Sequence, residues 1–100
     1  MRMNDLGKEI KIDRERAGMT QDELKEKAYI GQSYLSQIEN GSKIPKPLVL
    51  KAIANALEEK LNENLTDKYA DMLKNIISKQ ISLLVTSATT TIHRIEDTST

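Results

Sequence analysis

TQDELKEKAYIGQSYLSQIENG, running from Thr20 to Gly41, is the stretch on which the fold turns. Thr20 and Glu23 stand in capping-box register, where the hydroxyl meets the amide three residues on and the carboxylate reaches back. That predicts a helix starting at Gln21, with Leu24 and Ala28 at i, i+4 facing a core. Tyr29-Ile30-Gly31 interrupts the pattern. A second short helix is predicted from Gln32 to about Glu39, with Leu35 and Ile38 as its buried side, ended by Asn40-Gly41. Two short helices joined by about three residues are what a helix-turn-helix requires.

The flanks extend the same reading. Upstream, Asn4 is a candidate N-cap, and Leu6, Ile10, Arg14 and Ala17 share one helix face. Gly18 ends that helix as a C′ glycine would. Downstream, Ser42 to Lys46 forms a loop, and Pro47 suits the first position of a helix. Leu48, Leu50, Ile53, Ala54 and Leu57 give this fourth helix its apolar area. Thr66 is the expected cap of a further helix, with Asp67 favourable at its positive end. Leu65, Tyr69, Met72, Leu73, Ile76, Ile77 and Leu84 form its wide apolar stripe. No stretch alternates apolar and polar residues long enough to suggest a strand.

Composition bounds the function classes. The sequence has 100 residues, one domain's worth with an appended arm, and its aromatics are three Tyr with no Phe or Trp. The core must then be aliphatic. With no Cys, disulfides and Cys-based zinc sites are excluded, which fits a reducing cytoplasm. No apolar run approaches the roughly 20 residues needed to span a bilayer, and Lys8, Glu9 and Lys11 interrupt any signal-peptide core. Formal net charge is 0, but residues 1–57 carry +2 and residues 58–100 carry −2, which suggests different work for the two parts.

In combination and at matching spacing, several fragments resemble the Cro/CI-type (Xre-family, lambda-repressor-like) helix-turn-helix domain. They are Leu6-Gly7, Ile10, Arg14, Gly18-Met19-Thr20-Gln21, Glu23-Leu24, Tyr34 to Gly41, Pro45 and Ile53 to Leu57, within residues 4–65. The resemblance implies an all-α, five-helix lambda-repressor-like fold with an extended C-terminal helix. It divides the chain into a DNA-binding domain over 1–65 and a C-terminal helix with a polar tail over 66–100. The family lays its third helix in the DNA major groove, which carries base reading to Gln32, Ser33 and Gln37. Helix geometry agrees, because Leu35 and Ile38 turn the other way. A glutamine amide offers adenine a donor and an acceptor together, worth about 1–3 kcal/mol of discrimination. On an arbitrary helix the same residues would be an ordinary solvated face; the resemblance reverses that weighting. It also implies phosphate contacts at Gln21, Asn40, Lys43 and Lys46, a contact from Tyr34 to a phosphate or thymine methyl, and an internal ion pair between Arg14 and Glu39. The expected partner is double-stranded DNA with a palindromic operator, read by a homodimer.

Four positions depart from the family pattern. Lys25 stands where a small residue is usual, Tyr29 where Gly is usual, Gly31 where a Ser or Thr cap is usual, and Asp13 where an apolar residue is usual. Together with zero net charge they leave a second reading open: a protein-interaction module of the same fold, binding another regulator through its C-terminal helix. Apolar surface on that helix exceeds what closing the domain needs, so a dimer seam is expected around Met72, Ile76, Leu83 and Leu84; packing within one chain is the alternative. Ile81, Val85, Ala88, Ile92 and Ile95 keep heptad spacing, yet the segment is rich in Thr and Ser, so a continuing helix and a flexible tail stay open. Catalysis finds no motif: there is no Gly-rich phosphate loop, G-x-S-x-G or H-E-x-x-H. No cofactor is expected, and the lone histidine, His93, does not make a metal site.

Overall fold

The computed structural model describes residues 5–81. Asn4, the expected first cap, Leu83 and Leu84 of the expected seam, and the heptad-spaced residues beyond Ile81 lie outside them. Four helices follow one another closely: α1 (Leu6–Arg16), α2 (Gln21–Ala28), α3 (Gln32–Glu39) and α4 (Pro47–Leu61). A fifth, α5, covers residues 65–81. The described residues contain no strand, and the all-α class and the five-helix order stand as expected.

Each helix boundary has a local cause. The α1 N-cap position falls on Asp5, whose side chain makes no cap hydrogen bond. At the other end Gly18 is left-handed (φ 69°), and two bonds close the turn: Gly18 N donates to Glu15 O and Met19 N to Arg14 O. That pairing is a Schellman ending. At α2 the capping box is complete, with Glu23 N donating to Thr20 Oγ1 at 3.1 Å and Thr20 N to Glu23 Oε1 at 3.3 Å. Helices α2 and α3 end in the same Schellman pattern, with Ile30 N bonded to Lys25 O and Ser42 N to Gln37 O. The left-handed residue is Gly41 at one end and Tyr29 (φ 58°, ψ 45°) at the other. Pro47 opens α4 at its first turn.

The cap of α5 differs from the sequence expectation. Asn64, rather than Thr66, takes the role: its Oδ1 accepts from Asp67 N at 3.1 Å, and its Nδ2 donates to the Asp67 carboxylate at 2.7 Å. Thr66 is already inside the first turn. There, Thr66 N and Leu65 N both donate to Glu58 Oε2 at 2.8 Å. Those bonds, Thr66's first, outweigh the slight desolvation and hold the Glu58 carboxyl below its ordinary value. A carboxylate projecting from α4 thus helps to start α5, a contact invisible at a separation of seven and eight residues.

The core is drawn from every helix and is aliphatic except for Tyr69, which is fully buried: Leu6 and Ile10, Leu24 and Ala28, Leu35 and Ile38, Ile53 and Leu57, then Leu65, Tyr69 and Leu73. Gly7 sets how close α1 and α3 come. A Cβ built there would stand 1.8 Å from the Ile38 carbonyl oxygen, so only glycine fits.

Three charged residues are buried among the described residues, Asp13, Arg14 and Glu39, and Asp13 is the least exposed at 1%. Its Oδ2 accepts from Tyr69 Oη at 2.7 Å and Lys68 Nζ at 3.0 Å, and its Oδ1 from Arg16 at 2.8 Å. Burial pushes its carboxyl up, but the hydrogen bonds from Tyr69, Lys68 and Arg16 together prevail and hold it below the ordinary carboxylate value. Burial, reinforced by the bond to Asp13, drives the Tyr69 phenol far above its usual value. Lys68 also pairs with Glu9 at 2.6 Å. The unusual Asp13 is therefore the fastening of α5 to α1.

Candidate nucleic-acid interface

The outer side of α3 is a polar strip built by subtraction. Leu35, Ile38 and Glu39 turn into the protein, which leaves Gln32, Ser33, Ser36 and Asn40 exposed, with Tyr34 and Gln37 half-buried at the margins. Ser36 was not singled out in the sequence; the signal was available, because 32, 36 and 40 share one face at i, i+4 spacing. Gly31 provides the N-cap without a side-chain bond, so the first amides of α3 have no such partner there.

Behind the strip lies a network around Glu39. Arg14 Nε donates to Glu39 Oε2 at 2.7 Å and its second terminal nitrogen to Oε1 at 3.0 Å, a bidentate pair in the protein interior. Arg14 also donates to Met19 O at 2.8 Å. The carboxylate beside it raises the Arg14 pKa above its ordinary value, against the opposing effect of burial. Gln21 Nε2 donates to Glu39 Oε1 at 3.0 Å. One carboxylate thus joins α1, the start of α2 and the end of α3. Gln21, half-buried at the α2 N-terminus, has one amide hydrogen committed to Glu39. A primary amide carries two, so one donor remains for a second acceptor.

The turn after α3 is fixed in the same way. Asn40 Oδ1 accepts from Ser42 N at 2.9 Å and lies 2.5 Å from Ser42 Oγ. Only oxygen can accept from a backbone N–H, so the Asn40 amide nitrogen is the end free to donate. Lys43 Nζ sits 5.8 Å from the centre of the Tyr34 ring, within cation–π range. Lys46 N donates to Tyr34 Oη at 3.4 Å. Tyr34 therefore props the α3–α4 loop and both exposed lysines against α3, a role its position in the sequence did not disclose. On the other flank, Lys8 and Lys11 of α1 line a cleft with Ile12, Glu15, Glu39 and Asn40. These two cations also escaped the sequence reading, because they join α3 only when α1 packs across it.

Gln21, Gln32, Ser33, Tyr34, Gln37, Asn40, Lys43 and Lys46 all lie on α2, α3 or the following loop. Lys25, half-buried on α2, extends to Asp22 with Nζ 3.5 Å from the carboxylate. Met72 and Ile76 of the expected seam are half-buried and pack against the core of their own chain, whereas Ile77 and Ile81 are 42% and 52% exposed. Among the described residues no helix is long and apolar enough to cross a membrane, and no cluster of His, Asp and Glu side chains is arranged to hold a metal ion.

Residues 10–64 match the family model described as helix-turn-helix. No curated protein and no solved structure matches the chain.

Proposed function

The chain belongs to the Xre-type helix-turn-helix family of DNA-binding transcription regulators, and from that membership we propose that it is a sequence-specific repressor acting as a homodimer on a palindromic operator. Its type is that of a phage or mobile-element repressor, or of an antitoxin that controls its own operon. One observation carries the reading: the exposed strip of Gln32, Ser33 and Ser36 on α3, with half-buried Gln37 at its margin, flanked by groups suited to phosphate. In the proposed complex Gln32, Ser33 and Gln37 read base edges in the major groove. Gln21, Asn40, Lys43 and Lys46 hold the sugar-phosphate backbone and set the register, and the free amides at the α2 N-terminus favour the same anion. Arg14 and Glu39 hold α1 against the end of α3, and Gln21 brings the start of α2 to the same carboxylate. Residues 1–65 do the reading; within residues 66–100 Met72 and Ile76 close the domain against its core, and dimerisation falls to the remaining apolar residues, Leu83 and Leu84 among them.

Selection of bound fragments from a random DNA pool tests this, at ~150 mM salt, where non-specific binding is weak. The expected result is one enriched site with two-fold symmetry. Gln32→Ala with Gln37→Ala should abolish specific binding and leave the oligomeric state unchanged; unchanged affinity would remove these two as reading residues.

A second reading rests on Tyr29, 93% exposed at the turn between α2 and α3. An aromatic presented this openly suits a protein partner. A folded chain that enriches no DNA site makes that reading, an interaction module for another regulator, the better one.

A further inference from the structure

Leu48 projects from the first turn of α4 and is 83% exposed, the most exposed large aliphatic side chain among the described residues. Next to it, a cleft of about 210 Å³ opens between α4 and α5. Pro47, Leu50 and Lys51 form one wall, and Thr66, Ala70 and Leu73 the other. The lining is mostly hydrocarbon. An exposed apolar knob beside an open apolar cleft leaves two unfavourable hydration terms on one face of the protein.

Resting on the dimeric reading above, we propose that this face docks a second copy of the chain, with Leu48 of each copy seated in the other copy's α4–α5 cleft. Three features select a second copy as the occupant. Knob and cleft adjoin at Pro47, so one two-fold rotation makes both insertions at once, as a self-complementary interface demands. The charges are also complementary. Exposed Lys51 lies on the α4 side, and on the α5 side exposed Asp67 and Asp71 outnumber exposed Lys74, one turn beyond Ala70. Crossing α4 of one copy over α5 of the other brings opposite signs together. The same two aspartates oppose DNA as the occupant, because they would face phosphates. Finally, the row continues: Ile77 and Ile81 follow Leu73 at i+4 and i+8 on α5 and are exposed. One leucine in one cleft is too small a contact for a stable dimer, which buries roughly 800 Å² per partner; the added isoleucines extend it along α5.

The absence of native cysteine makes a direct test clean. One batch of full-length protein carries Leu48→Cys and a second, differently tagged batch carries Ala70→Cys. Both positions are exposed, so neither change removes core packing. The batches are mixed without DNA and treated with a short bifunctional maleimide. The mixed cross-link is expected to form at least about tenfold faster than between Leu48→Cys and a Lys60→Cys control at the far end of α4, as high local concentration requires. In sedimentation, Leu48→Lys is expected to be a monomer at concentrations where the parent is a dimer. A dimer whose Leu48→Cys and Ala70→Cys batches react no faster than the control overturns the docking face and leaves the dimeric repressor standing. So does a Leu48→Lys variant that remains a dimer. A parent that sediments as a monomer at about 100 µM overturns both the docking face and the homodimer, while half-site DNA binding, measured separately, decides the reading residues.

Discussion

Tyr29 is the residue whose own conformation works against the fold. It occupies the left-handed position of a Schellman ending that Gly18 and Gly41 occupy at the ends of α1 and α3. For a residue with a Cβ that conformation costs roughly 1–2 kcal/mol. Its ring is 93% exposed, so little packing is returned. Tyr29→Gly should therefore stabilise the protein by about 0.5–1 kcal/mol, once the larger chain entropy of unfolded glycine is deducted. Thermal unfolding should show this as a rise of about 3–6 °C; a fall in Tm would show that the ring is held by contacts. Gly7 is the opposite case, a glycine that no other residue can replace. In Gly7→Ala the methyl group would stand 1.8 Å from the Ile38 carbonyl oxygen, and the atom that must yield is backbone. The expected cost is about 2–3 kcal/mol, read by urea denaturation, with Ala at exposed Lys8 as the control.

Between elements, the decisive contacts are polar and reach across the fold. Asp13 fastens α1 to α5 through Tyr69 and Lys68, and Glu39 joins α1, α2 and α3 through Arg14 and Gln21. Removing one partner of such a group strands the other in the interior. Asp13→Ala should cost about 3 kcal/mol, since it leaves the buried Tyr69 hydroxyl without its acceptor. Tyr69→Phe should cost about 1 kcal/mol, because the lone carboxylate keeps Lys68 and Arg16. In a double-mutant cycle the two should couple by about 1–2 kcal/mol. Additive losses would mean that the 2.7 Å bond contributes little to docking α5.

Over the whole molecule these pairs set a pH dependence. The folded pKa values of Asp13 and Glu58 lie below their ordinary values. Each therefore contributes stability that is present above the ordinary carboxylate pKa, near 4, and is lost as pH falls through the folded value. Lys68 and Tyr69 are shifted upward. Their contributions are present below their ordinary values, near 10, and are lost as pH rises through the folded ones. Stability should be level from about pH 5 to 8 and drop below about pH 4. In Asp13→Asn the starting stability should be lower and the acid slope shallower. An acid slope equal to the parent's would place the titration elsewhere.

What was legible in the sequence is whatever depends on near neighbours. The capping box of Thr20 and Glu23, the stops at Gly18 and Gly41, Pro47 at the head of α4 and the inward turn of Leu35 and Ile38 all follow from spacings of four residues or fewer. Periodicity alone then leaves Gln32, Ser33 and Gln37 on the outer face of α3. Only the tertiary structure decided the rest, because it depends on groups far apart in the chain. Asp13, odd in the sequence, became intelligible when Tyr69 arrived 56 residues later to share its proton. Asn64 displaced Thr66 as the α5 cap because Glu58, on α4, already serves the amides of Leu65 and Thr66. Lys8 and Lys11 reached the flank of α3 only through the close approach that Gly7 permits. Met72 and Ile76 turned toward their own core because Leu65, Tyr69 and Leu73 fix the rotation of α5, and that same rotation left Ala70, Ile77 and Ile81 facing outward.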